Sequence, residues 1–162
     1  MNRPLRRRWK IWRHRANRAR QIGHRERLLL AEAIWALAAA RFRLATQPFP
    51  RIAKELGGFT TPALVRARED LAPSAEDQAT ATKVGWAVTR AARHVPFGAV
   101  CLPQAMAAKA MLARRGIASV MHFGTMRGET LSLAAHAWLD AAGVEVTGYP
   151  VEPRFTEIAC IP

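Results

Sequence analysis

The run SLAAHAWLDAAGVEV, residues 132–146, leaves few folding choices. A β-strand turns successive side chains to opposite faces. A strand through this run sets Ala134, His136, Trp138 and Asp140 on one face, and Ala135, Ala137 and Leu139 on the other. Ala-Ala-Gly at 141–143 then supplies a turn, and residues 144–148 resume the alternation. The pattern predicts an antiparallel hairpin of 131–140 with 144–148. One histidine, His136, stands in the middle of this Ala-, Leu- and Trp-rich setting. It is either a satisfied core residue or a base kept there for chemistry.

The preceding chain reads as mostly helical. Residues 26–44 are rich in Ala, Leu, Glu and Arg, which favour helix, and Pro48 and Pro50 stop them. The apolar part, 28–40, is shorter than the ~20 residues of a membrane-spanning helix and carries Glu32. It reads as a buried or partner-facing helix. The alternative is a helix lying on a membrane surface, with Trp9, Trp12 and the arginines as anchors. A short helical turn at 51–56 closes at Gly57-Gly58, and another starts at Thr61-Pro62 and runs towards Arg68. Residues 68–80 mark a loop, within which Ser74 and Asp77 have the spacing of a helix start. Val84, Trp86, Ala87 and Ala91 give the following helix, to about His94, one apolar face. Residues 101–115 form a further helix, with Gly116 suited to the left-handed position past its end. A strand at 117–123, a turn at 125–130 and a last strand at 155–161 complete the prediction. The fold class is α+β: N-terminal helices packed on one face of a small antiparallel sheet.

Charge divides the chain further. The formal net charge is +13, and residues 3–27 carry eleven Lys or Arg against one acid, Glu26. From residue 28 onward fourteen basic residues meet eleven acids. The organisation expected is a basic arm at 1–25, a helical segment at 26–70 and a core domain at 71–162. An arm of this kind seeks an acidic partner or anionic surface. No nucleic-acid-binding motif accompanies it, so no specific nucleic acid is expected. Two cysteines, Cys101 and Cys160, form no metal-binding pair by spacing. A domain of this size folds without a disulfide, which points to a reducing, cytoplasmic setting.

Cys101 starts a helix, two residues before Pro103, which a first helical turn tolerates. Unpaired N–H groups and the helix dipole stabilise negative charge at that end, and the thiolate is the nucleophile of cysteine chemistry. A buried, inert cysteine is the plainer alternative. If the Cys101 helix packs on the face carrying His136, sulfur and imidazole come within reach, as an activated nucleophile requires.

Cys101-Leu102-Pro103-Gln104, the helix ending Ala113-Arg114-Arg115-Gly116, His122-Phe123-Gly124 and the hairpin from His136 to Gly148 together resemble a known family. They are similar to the lasso-peptide maturation peptidases, of the microcin-processing type, in the transglutaminase-like superfamily. The likeness covers roughly residues 75–162, and weakly 28–44. It implies a transglutaminase/papain-like core and a thiol peptidase that removes the leader from a ribosomally made precursor peptide. Cys101 would be the nucleophile and His136 the general base, then acid, with no cofactor or metal. It also implies two partners: a separate leader-recognition protein, because residues 1–60 read as a basic helical extension, and an asparagine-synthetase-like ring-closing enzyme. Fused members of the family carry an aspartate twelve residues after the histidine; that position here is Gly148. Asp140 lies four residues along the strand, roughly 13 Å away, and Glu145 lies near the turn. Thr147, Tyr149, a backbone carbonyl or water is left to hold the ring. Gln104 either offers its amide to substrate or faces solvent, His122 has an open strand face, and Trp138 packs over site or core. Two other functions fit the same residues: a basic module binding nucleic acid or a membrane surface without catalysis, and an acyl transferase using the same Cys–His pair.

Overall fold

The computed structural model describes residues 23–66, 73–127 and 133–162. The basic arm, the reach of the third helix beyond residue 66 and the far part of the turn at 125–130 lie outside the described residues.

Among the described residues five helices come first: α1 (His24–Thr46), α2 (Phe49–Glu55), α3 (Pro62–Arg66), α4 (Ala75–Ala92) and α5 (Cys101–Ala113). Several boundaries have a local cause. At the start of α1 the Glu26 carboxylate accepts the Gly23 N–H at 2.9 Å, which satisfies a donor that the helix cannot. Pro48 precedes α2 and Pro50 falls in its first turn, so the prolines that stop one helix admit the next. Ser74 caps α4, its hydroxyl accepting the Asp77 N–H at 3.0 Å. Gly116 follows α5 at a φ of 71°.

The α+β expectation holds. Strands β1 (Ser119–Arg127), β2 (Leu133–Ala141), β3 (Val144–Thr147) and β4 (Thr156–Ile161) form one antiparallel sheet in the order β3-β2-β1-β4. The first three make a meander. Residues 148–155 then lead from one edge of the sheet to the other, and β4 pairs with β1. β1 runs four residues beyond its predicted end because Gly124 to Arg127 continue to pair with His136 to Leu133. The predicted turn at 125–130 is thus partly strand. The β2–β3 turn falls where Ala-Ala-Gly predicts it, on Ala142-Gly143, both at positive φ, 51° and 71°. That geometry matches the twist of the strands it joins.

The helices cover one face of the sheet. Met121, Leu139, Ala141 and Ile161 join Ala33, Ala36 and Leu37 of α1, Val84 and Val88 of α4, and Met111 and Leu112 of α5 in a single apolar core. The alanines let the helices approach closely. At Gly85 of α4 there is no room for a side chain: a Cβ would overlap the Val146 carbonyl of β3. Arg114 and Arg115 at the end of α5 grip Glu32 of α1, at 2.7 and 2.6 Å. His136, Trp138, Asp140 and His122 share the opposite face, as the alternation predicts. The α5 helix therefore does not pack on the face carrying His136. The two approach each other at the rim of the sheet instead.

Candidate active site

The rim lies where β3 ends at Thr147. β2 continues past that point, so His136 has a loop beside it instead of a paired strand. A register shift at Leu139/Asp140 makes Val146 an extra residue on β3, and Val146 and Thr147 are both buried. The chain then passes through Gly148 at a φ of 87°. Its carbonyl oxygen lies 2.6 Å from His136 Nε2. A carbonyl can only accept, so Nε2 carries the proton of this bond. Nδ1 has no hydrogen-bond partner among the described residues.

The position that holds an aspartate in fused members of the resembling family thus acts here through its main chain. A side chain would not fit: a Cβ at Gly148 would lie 2.6 Å from the Ala137 oxygen and 2.8 Å from Trp138 Cα. The alternative of a backbone carbonyl, open in the sequence, is the one realised. Thr147 pairs opposite Leu139 instead. The Tyr149 hydroxyl donates to Asp140, and burial together with that carboxylate pushes the phenol well above its usual range.

Aromatic rings flank His136, Trp138 stacked and Phe155 tilted by 40°. Trp138 lies with its centroid 6.0 Å away and Phe155 at 5.3 Å. Trp138 stacks in turn on His122, 5.5 Å away and 9° from parallel. His122 sits between Asp140, at 3.3 Å, and Glu157, at 2.5 Å. Burial alone would push this histidine down, but the two carboxylates outweigh it and hold its pKa above the ordinary value. Its strand face is therefore filled by a clamp of two acids and an indole. Trp138 packs over the candidate site, one of the two roles open to it.

Cys101 begins α5 and is free of any disulfide. The residue before the helix, Val100, offers no side-chain cap, and Pro103 has no N–H. The first helical bond is made by Gln104 N–H to the Val100 oxygen, at 3.2 Å. The N–H groups of Cys101 and Leu102 are thus left without intrahelical partners at the positive end of the dipole. Gln104 braces this turn, its side-chain amide donating to the Ala99 oxygen at 2.6 Å. It lines the cavity, and with one N–H on the main chain its amide keeps a second N–H and its carbonyl oxygen.

Cys101 and His136 line one cavity of about 440 Å³, together with Thr89, Gln104, Thr147 and Gly148. No hydrogen bond joins their side chains. The cavity reaches both from the open rim. A free thiol at an uncapped helix start and an oriented imidazole, facing one solvent-accessible space, are the kinds of group that acyl transfer through a thioester needs.

The model of the transglutaminase-like superfamily matches residues 43–160. The chain belongs to that superfamily. Its members are generally cysteine peptidases or acyltransferases. No curated protein and no solved structure matches the chain. The match starts within α1 and takes in α2 and α3 as well as the sheet. Among the described residues no group of three or more His, Cys, Asp or Glu could hold a metal ion, and no helix is long and apolar enough to cross a membrane. Sequence reasoning missed Thr89, which sits one turn after Gly85 and reaches the cavity only because α4 presses on β3. It also missed Phe155, whose place on the His136 ring depends on where the long β3–β4 connection runs.

Proposed function

We propose that this chain is a thiol peptidase that removes the leader from a ribosomally made lasso-peptide precursor. It acts with a separate leader-recognition protein and ahead of an asparagine-synthetase-like ring-closing enzyme. Cys101 at an uncapped helix start and His136 on the Gly148 carbonyl, lining one cavity, are the observation that carries the reading. The transglutaminase-like match and the Leu-Pro-Gln and His-Ala-Trp contexts of the two residues narrow it.

In this mechanism Cys101 Sγ attacks the scissile carbonyl carbon, and the oxygen takes up negative charge. The N–H groups of Cys101 and Leu102 are the available donors to that oxyanion. The C–N bond breaks as His136 delivers a proton to the leaving amine, and the leader remains as a thioester on Cys101. His136 then takes a proton from water, which attacks the thioester and releases the leader carboxylate and the free thiolate. The Gly148 carbonyl keeps Nε2 protonated throughout and leaves Nδ1 to exchange the proton.

The test is to mix the protein with a lasso-peptide precursor and a leader-recognition protein, and to read the products by mass spectrometry. Leader and core peptide should appear with the unaltered chain and be absent with Cys101→Ala, while the unfolding midpoint of the variant stays unchanged. Cleavage by Cys101→Ala would sink the reading. Added hydroxylamine separates peptidase from acyl transferase: a product that is mostly hydroxamate even at low amine assigns the chain to acyl transfer.

A further inference from the structure

Helix α1 has two apolar faces. One lies in the core through Ala33, Ala36, Leu37 and Ala40. The other consists of Leu28, Ala31, Trp35, Ala38 and Phe42, at alternating steps of three and four residues, with Ile34 beside them, and it is exposed. Trp35 is 69 % exposed, Phe42 68 % and Leu28 58 %. At 1.5 Å per residue the stripe is about 21 Å long. Side chains of this size are normally scattered singly over a surface; a contiguous row marks an interaction site.

The charge around the stripe identifies its partner. Both acids of α1 are engaged elsewhere: Glu26 on the Gly23 N–H and Glu32 on Arg114 and Arg115. Arg25 and Arg41 are exposed along the same helix. Immediately ahead, residues 1–22 carry nine Lys or Arg and no acid, together with Trp9 and Trp12. A second copy of the chain would bring two such basic segments together and is disfavoured by their repulsion. An anionic bilayer offers an apolar layer just below a dense negative surface, and so meets both the stripe and the cations. Trp is also the side chain that settles at a lipid–water boundary.

We infer that the exposed face of α1 is a docking surface for an anionic phospholipid membrane. Trp35 and Phe42 enter the headgroup–acyl boundary, and the basic segment ahead of the helix is drawn to the headgroups. The helix lies flat, because its other face is already in the core. This inference stands apart from the peptidase reading and holds or fails without it.

The experiment is cosedimentation of the full chain with phosphatidylcholine vesicles and with vesicles about one-third phosphatidylglycerol. Partitioning should be at least ~tenfold higher on the anionic vesicles and should fall with added salt. The double variant Trp35→Ala/Phe42→Ala should lose ~tenfold or more of that partitioning. Both side chains are exposed, so its unfolding midpoint should match that of the parent. Equal binding by the double variant would assign the attraction to the basic segment alone and overturn the proposal. So would equal binding to both vesicle types. Failure to bind either would leave the face to a protein partner, and a dimer abolished by the double variant would leave it to a second copy; each overturns the proposal.

Discussion

His136 Nε2 and the Gly148 carbonyl oxygen are 2.6 Å apart, and the bond depends on Gly148 having no side chain. Its φ of 87° and the closeness of Ala137 and Trp138 both exclude a Cβ. Gly148→Ala should therefore destabilise the fold by about 2–4 kcal/mol, through the strained φ and the overlap together. Thermal melting would show this as a fall of roughly 5–15 °C. Gly148→Asp, which imitates the residue of the fused family members, should do no better and should leave cleavage at least ~tenfold slower at temperatures where the chain is folded. Restored or raised activity in Gly148→Asp would show that a carboxylate and not the main chain is what His136 needs.

Thr147 has a different role at the same cavity. The residue is 3 % exposed, and Oγ1 has no hydrogen-bond partner among the described residues. A buried hydroxyl without a partner is costly, whereas its apolar isostere is not. If the hydroxyl serves the peptide substrate, Thr147→Val should keep or slightly raise the unfolding midpoint and increase KM several-fold, by the ~1 kcal/mol of a lost hydrogen bond. Steady-state kinetics on the precursor would separate the cases: an unchanged KM would make Thr147 a wall residue only.

The hairpin turn carries strain that can be removed. Ala142 has a φ of 51° and Gly143 of 71°. Glycine adopts that conformation freely, while alanine has a Cβ crowded against the next carbonyl. Asn-Gly is the sequence this turn favours. Ala142→Asn should stabilise the chain by about 0.5–1 kcal/mol, seen as a rise of roughly 1–4 °C in Tm. The site should be unaffected, because the turn lies at the far end of β2 from His136.

Much of this was legible in the sequence. Period-two alternation placed His136 and Trp138 on one face of a strand, and Ser74 marked a helix start through its spacing to Asp77. A cysteine just before a first-turn proline marked the start of α5. What stayed hidden depends on contacts between segments distant in the chain. Alternation says which side chains share a face, but not which face the helices cover; that choice rests on Met121, Leu139 and Ile161 joining residues of α1, α4 and α5 in one core. The holder of the His136 ring was also beyond sequence patterns, because every non-proline residue has the carbonyl that Gly148 uses. Thr89 and Phe155 reach the site through the close approach of α4 to β3 and the path of the 148–155 connection, and neither leaves a local pattern.

The clamp on the far side of Trp138 should give the chain a distinctive pH dependence. Asp140 and Glu157 raise the His122 pKa above its ordinary value, against the effect of burial. A base raised in the folded state binds its proton more tightly there than when unfolded. Its stabilisation is fully present below the unfolded value, about 6.5, and is lost as pH rises through the higher folded value. Lys109 acts in the opposite sense. Burial lowers it from 10.5 to about 8, while its ammonium donates to the Ser119 oxygen at 2.8 Å. Its charged form therefore costs stability at neutral pH, and that cost is relieved as pH climbs from about 8 towards the unfolded value. Urea midpoints measured across this range should fall above about 6.5 and recover in part above about 8. His122→Gln should flatten the fall without removing the recovery, and Lys109→Met should do the reverse. A fall that persists in His122→Gln would place its origin in another group and leave the clamp as packing alone.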